Sequence, residues 1–260
     1  MTNSEALSRL FSLEDHVAVV TGAGQGLGRA IALGMAAHGA HIAAVDIQQD
    51  AAQSVAQAIA ALGRKAVPFT CDVSDEAQVA ALAEQVADEF GSIDALVNSA
   101  GIMLRHPIED FPVQEWKRTL DVNLLGVFLC ARAIGPIMLK RGKGSVINMA
   151  SVAAFLGRGN DTSAYLTSKA GVVSLTRHLA VLWASRGVRV NAIAPAQIDT
   201  PLLDDLRSQP GALEERVARI PMGRLGQPHE LVGPAIFLAS DASSFVTGHI
   251  LAVDGGLLAF

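Results

Sequence analysis

Val17-Ala18-Val19-Val20-Thr21-Gly22-Ala23-Gly24-Gln25-Gly26-Leu27-Gly28 is the stretch from which the fold can be read. A short Val-rich apolar run, Val17–Val20, passes straight into a turn holding four glycines, and a helical pattern over Leu27–Ala37 opens behind it. Glycines at such a turn let backbone amides come close to a diphosphate, and the following helix N-terminus favours its negative charge. A tight turn that merely needs glycine would look similar. The position between first strand and first helix points instead to a nucleotide site at Gly22, Gln25, Gly26, Leu27 and Gly28.

Outward from this turn, short β-rich apolar runs alternate with longer helical patterns. Strands are expected at Val17–Val20, Ile42–Val45, Ala66–Phe69, Ala95–Val97, Ser145–Asn148, Arg189–Ala192 and Ile250–Val253. Helices fit at Leu27–Ala37, Ala51–Ala61, Glu76–Phe90, Val113–Leu139, Ala164–Ser185 and Glu230–Leu238. Such alternation marks βαβ units, and near-continuous apolar strands mark a sheet covered on both faces. The expected fold is α/β: one Rossmann-like, doubly wound parallel sheet of about seven strands, flanked by helices on both faces. No linker or repeat splits residues 1–260. Residues 199–226 differ, with Pro201, Pro210, Gly211, Pro221, Gly223 and Gly226 around short helical pieces. Long broken insertions in compact domains are often functional lids, so a substrate lid is expected there, the alternative being a plain surface excursion.

The chain has 260 residues, 50% of them hydrophobic, which is enough to bury one large core. Net charge is −5 with no basic tract, which argues against nucleic acid or an anionic membrane as partner. No apolar run reads as an uninterrupted membrane span. The N-terminal residues 1–16 lack the basic start and apolar core of a signal peptide. Cys71 and Cys130 are the only cysteines and lie in apolar stretches, so a reducing cytoplasm is expected. His38 and His41 are separated by a turn, and no metal site is expected.

Asp46 closes the second strand. An acid there can accept hydrogen bonds from ribose hydroxyls and repel a 2′-phosphate. Ala23, Gln25 and Ile47 are neutral, so the expected cofactor is NAD, held in part by Asp46 and Ile47. The alternative role for Asp46 is to cap a turn. Tyr165 is the only tyrosine, and Lys169 follows four residues later on the same helical face. A nearby ammonium favours a phenolate, so the pair can move a proton. A bare Y-x-x-x-K equally describes a surface Tyr beside a solvated Lys, and the rest of the chain decides between them.

Taken together, these residues resemble the classical short-chain dehydrogenases/reductases, from about Leu13 to the end. Thr21–Gly28 matches the family's T-G-x-x-x-G-x-G. Asp72-Val73 resembles its adenine-contacting pair, and Asn98-Ser99-Ala100-Gly101 its N-N-A-G. Asn123, Ser151, Tyr165 and Lys169 match its active-site tetrad. Pro195 to Thr200, including Ile198, resembles the P-G-x-x-x-T segment that holds the nicotinamide amide, and Asp254-Gly255-Gly256 matches its ending. Ser99 and Ala196 depart from the pattern, which usually has Asn and Gly there.

The resemblance implies hydride transfer between a secondary alcohol and NAD. Tyr165 would exchange the alcohol proton, with Lys169 lowering its pKa and holding the nicotinamide ribose. Ser151 would donate to the substrate oxygen, and Asn123 would position a water linking Lys169 to solvent. Arg105 and His106, and Arg158, Asn160 and Asp161, stand where substrate contacts are expected. Few of them are apolar, which suggests a hydroxylated or anionic substrate. Arg105 suits a carboxylate through its guanidinium fork, the alternative being a solvent-exposed Arg, and Arg158 is the second substrate candidate. The wording of the chain is most similar to gluconate and deoxygluconate dehydrogenases, implying a sugar acid or polyol. The alternatives are a 3-oxoacyl thioester reductase, a broad carbonyl reductase or, more remotely, a non-catalytic nucleotide-binding regulator. The thioester reductases usually favour NADP, which Asp46 argues against. The resemblance also implies a homotetramer built by pairing the two long helices, with apolar Leu257–Phe260 packing against another subunit.

Overall fold

The structure, a computed structural model, describes residues 9–157 and 161–259. Its strands are β1 Val17–Thr21, β2 His41–Asp46, β3 Ala66–Thr70, β4 Ala95–Asn98, β5 Gly144–Met149, β6 Val188–Pro195 and β7 Ile250–Val253. They form one seven-stranded sheet in the order β3-β2-β1-β4-β5-β6-β7, with every pairing parallel. This is the expected doubly wound fold. The sequence reading placed each strand and trimmed most by a residue or more, because boundary residues such as Thr21, Asn98 and Met149 are not apolar β-formers or border polar turns.

Successive strand residues point to opposite faces, and each face has its own core. Ala18, Val20, Ile42, Ala44 and Val97 pack on one face with α1 (Gly26–Ala37), α2 (Gln49–Ala60) and the late helix Val232–Ala239. Val19, Ala43, Val45, Leu96 and Val146 pack on the other against Glu76–Phe90, Gly126–Arg141 and Ser163–Trp183. Double coverage explains why these strands read as continuous apolar runs rather than alternating ones.

The helix expected over Val113–Leu139 is α-helical at Val113–Leu120 and Gly126–Arg141, with a π-helical turn at Asp121–Leu125 between them. The whole Val113–Arg141 helix is long and apolar enough, by length and composition alone, to cross a membrane. That corrects the expectation that no such run exists: Lys117, Arg118 and Asp121 precede the apolar stretch 122–139, in which Arg132 is the one charged residue. Half of that window is buried inside the protein, as in a core helix against a sheet. Residues 199–226 form a closed excursion. Its ends meet where Ile198 bridges Gly226, with Asp199 N–H donating to Gly226 O at 2.8 Å and Gly226 N–H to Gln197 O at 3.0 Å.

Chain order reverses direction between β1 and β4, and ligands in such sheets bind beyond the strand C-termini at that switch. The glycine turn leaves β1 on one side of it, and residues 98–101 leave β4 on the other.

Candidate active site

At the switch point the two loops touch. A Cβ on Gly22 would lie 2.8 Å from the Ala100 Cα, and Gly22 has φ +64°, so only glycine fits. A Cβ on Gly28 would come within 2.0 Å of the Gly22 carbonyl oxygen, so α1 can begin directly on the turn. Thr21 locks the junction: its hydroxyl accepts from the amides of Ser99 at 3.1 Å and Ala100 at 3.2 Å. The first turn of α1 has neither a capping side chain nor an acid, so its amides stay available to an anion.

Below these loops lies a cavity of about 380 Å³. It is lined by Gly22, Gln25, Gly26, Leu27 and Gly28 at the turn, and by Asp46, Ile47, Asp72 and Val73 at the ends of β2 and β3. Ala100, Gly101, Ser151, Tyr165, Lys169, Pro195, Ile198 and Thr200 line the rest of it. Seventeen of the expected residues therefore share this wall, beside others such as Gln48, Ile102 and Arg118 that were not expected. Two of the expected residues stand behind it. Asn98 is buried and donates through Nδ2 to Asn148 Oδ1 at 2.8 Å, which joins β4 to β5. Asn123 is fully buried in the π-helical turn, behind Gly101. Its Oδ1 accepts from Ile102 N–H at 2.8 Å, and its Nδ2 donates to Ile102 O at 2.9 Å and Ser168 Oγ at 3.2 Å. The π turn offsets the helix by one residue and presents this side chain to the β4 loop.

Tyr165 and Lys169 share one face of the helix Ser163–Trp183, with the Lys169 Nζ 5.6 Å from the Tyr165 ring centroid. Lys169 is 5% exposed, and one ammonium hydrogen goes to the Met149 carbonyl at 2.7 Å. Burial disfavours its charge and brings its pKa down to about 8. Ser151 ends the β5 run, and its Oγ accepts from Ala153 N–H at 3.1 Å, which leaves the hydroxyl hydrogen to donate elsewhere. Ala196 has no positive φ, so the methyl where the family usually has glycine sits in ordinary backbone.

A second hollow adjoins the first, and Ser151 and Tyr165 line both. Arg105 lines this hollow; His106 does not, its ring meeting Glu115 at 2.8 Å. Arg158 lies outside the described residues. The reading of a mostly polar substrate end needs correction: Met103, Leu202, Leu203 and Leu206 share the wall. Three of these come from residues 199–226, the stretch whose Pro/Gly pattern reads as a lid in the sequence. Gln197 and Arg216 also line the hollow and were not singled out in the sequence.

Asp46 lines the larger cavity and also accepts two backbone hydrogen bonds. Its Oδ2 accepts from Gly24 N–H at 2.8 Å and its Oδ1 from Gln48 N–H at 3.0 Å. Oδ2 ties the acid to the glycine turn and Oδ1 to the loop after β2, and each oxygen keeps a second lone pair for a donor in the cavity.

A model of the family described as enoyl-(acyl carrier protein) reductase matches residues 22–258. D-threitol dehydrogenase of Mycolicibacterium smegmatis is 44% identical over 98% of both chains. A protein provisionally assigned as an NAD(P)-dependent gluconate 5-dehydrogenase, from Beutenbergia cavernae, is 45% identical at a TM-score of 0.92. The match covers 96% of this chain and 100% of that one, which was solved with NADP bound at low occupancy. Gluconate 5-dehydrogenase of Burkholderia cenocepacia, solved with NADP and tartrate, is 38% identical at a TM-score of 0.93 over 96% of this chain and 98% of its own. These NADP-bound structures overturn the expectation of NAD. An acid at the end of β2 is thus not by itself a selector against the 2′-phosphate.

Proposed function

The chain belongs to the short-chain dehydrogenase/reductase family and is an NAD(P)-dependent oxidoreductase acting on CH–OH groups, and on that premise we propose a sugar acid or polyol as its substrate. The observation that carries the reading is the junction of the two cavities. Ser151 and Tyr165 stand on both, so one oxygen at that point can meet both hydroxyls while its carbon faces the larger cavity.

The larger cavity fits a nicotinamide dinucleotide: it has a glycine cradle a Cβ would fill and an uncapped helix N-terminus. Gly22, Gln25, Gly26, Leu27 and Gly28 would hold the diphosphate; Asp72 and Val73 the adenine end; Pro195, Ile198 and Thr200 the carboxamide. When bound, the nicotinamide ring supplies the hydride acceptor and donor. Tyr165 takes the alcohol proton in oxidation and returns it in reduction, while the Lys169 ammonium stabilises the phenolate. Ser151 donates to the substrate oxygen as charge develops on it. Asn123 holds the β4 loop against the helix and positions a water beside Lys169. Residues 199–226 act as the lid, a role supported by Leu202 and Leu203 lining both cavities. A homotetramer in the cytoplasm completes the reading, supported by apolar side chains exposed on the long helices and by two free thiols.

The names of the relatives favour hydroxylated substrates. The 3-oxoacyl thioester reductase reading regains its cofactor argument once NAD is set aside, so the test must include it. Purified enzyme is assayed with sugar acids, polyols and apolar secondary alcohols, and in reverse with acetoacetyl-CoA. Turnover of sugar acids or polyols is expected; turnover confined to apolar alcohols or the thioester would discard the assignment. In the same assay, Tyr165→Phe is expected to lose nearly all turnover yet keep its dinucleotide affinity. Wild-type-like turnover in that variant would sink the mechanism.

A further inference from the structure

The hollow beyond Ser151 and Tyr165 has a volume of about 70 Å³, and its wall carries two positive charges. Arg105 comes from the loop after β4. Arg216 comes from the short lid helix Ala212–Val217. No Asp or Glu is among the described residues lining it. Glu215, beside Arg216 in sequence, is engaged by Arg219 at 3.0 Å. Burial first, and then the nearby Arg105 charge, disfavour the charged form of Arg216. Two guanidiniums that repel each other in a partly buried hollow are a favourable arrangement only with an anion between them.

Unmet hydrogen bonds point the same way. Arg105 Nε is buried without a partner among the described residues, and its Nη2 reaches only the Met103 sulfur at 3.6 Å, a weak acceptor. Gln197 Oε1, in the same hollow, is a buried acceptor with no donor among the described residues. Buried polar atoms in native proteins are nearly always paired, so unpaired ones converging on one cavity mark what a ligand brings. Here the ligand must bring an anion for the two guanidiniums and a hydroxyl hydrogen for the amide oxygen.

We propose that Arg216 and Arg105 together hold a substrate carboxylate and that Gln197 accepts from a neighbouring hydroxyl, making the substrate a hydroxy acid rather than a neutral polyol. This rests on the reading of the site as one for hydroxylated substrates, and narrows it. Because Arg216 rides on the lid, the carboxylate also draws the lid onto the site. The D-threitol relative shows that a neutral substrate is the live alternative.

The test pairs binding with turnover. Tartrate is titrated into enzyme saturated with NADP, and oxidation of gluconate and of glucitol is measured alongside, for wild type, Arg216→Ala and Arg216→Lys. Loss of a charge-assisted contact is expected to weaken tartrate roughly 10- to 100-fold in Arg216→Ala, with Arg216→Lys recovering part of it. The kcat/KM ratio of gluconate to glucitol is expected to fall by a similar factor. Unchanged tartrate affinity, or gluconate and glucitol falling in step, would overturn the proposal and make Arg216 a structural lid residue. Wild-type enzyme that oxidises glucitol but neither binds tartrate nor oxidises gluconate would overturn it while the hydroxylated-substrate reading stands. Wild type that oxidises neither compound but reduces acetoacetyl-CoA would sink that reading, while tartrate binding still decides whether the arginine pair is an anion site.

Discussion

Lys169 concentrates the site's electrostatics in one atom. Burial lowers its pKa to about 8, so its ammonium is present below that pH and is lost as pH rises through it. The unfolded lysine would stay protonated to about 10.4. Between these values the unfolded chain binds the extra proton, so the desolvation cost of this group is full below pH 8 and relieved as pH rises. If the ammonium also holds the nicotinamide ribose, affinity for the dinucleotide runs the opposite way. It is expected to be constant below pH 8 and to fall by up to about tenfold per pH unit above it, accompanied by proton uptake on binding. Fluorescence titration of NADP from pH 6.5 to pH 9.5 checks this against Lys169→Met, in which the slope should vanish. Equal slopes in the two proteins would remove Lys169 from the cofactor's contacts. Tyr165 and Lys169 were legible as a pair because both lie on one helix, at a spacing the helix itself makes adjacent. For Asp46 the identity is legible in the sequence, but the backbone amides it meets are not.

At the scale of elements, the helix Val113–Arg141 carries a device the sequence did not show. Its hydrophobic pattern reads as one helix, yet a π turn at Asp121–Leu125 interrupts the α-helical ladder. That turn lets Asn123 pair with both the N–H and the C=O of Ile102, clamping the β4 loop beside Gly101. Asn123→Ala leaves both partly buried backbone groups without this partner, and is expected to cost about 2 kcal/mol. A fall in Tm of roughly 4–8 °C should accompany it in a chain of this size. Urea unfolding showing less than about 0.5 kcal/mol, the scatter of an ordinary surface substitution, would show that the clamp contributes little. The motif announced that Asn123 matters; the long-range pairing with Ile102 explains what it holds.

For the molecule as a whole, the two sheet faces are covered by the chain's own helices, but parts of the long helices are not. Val181 is 80% exposed, Leu182 51% and Phe128 42%. Apolar side chains left out along long helices suit pairing between subunits, as the tetramer reading requires. Light scattering is expected to give the mass of a tetramer, and Val181→Asp to shift it to smaller species. A wild-type monomer would refute the assembly. By itself the sequence determined the alternation of strands and helices and the glycine turn, which depend on local residues or on a period set by backbone geometry. The tetrad and the reaction class followed from the resemblance of its motifs to a family. Only the tertiary structure decided what the polar groups meet: that Asp46 accepts from backbone amides, that Asn98 and Asn123 stand behind the cavity, and that Arg216 and Gln197 line the second hollow. Those contacts join segments far apart in the chain, and a hydrogen bond or a charge is satisfied by distance in space, which spacing along a sequence does not encode.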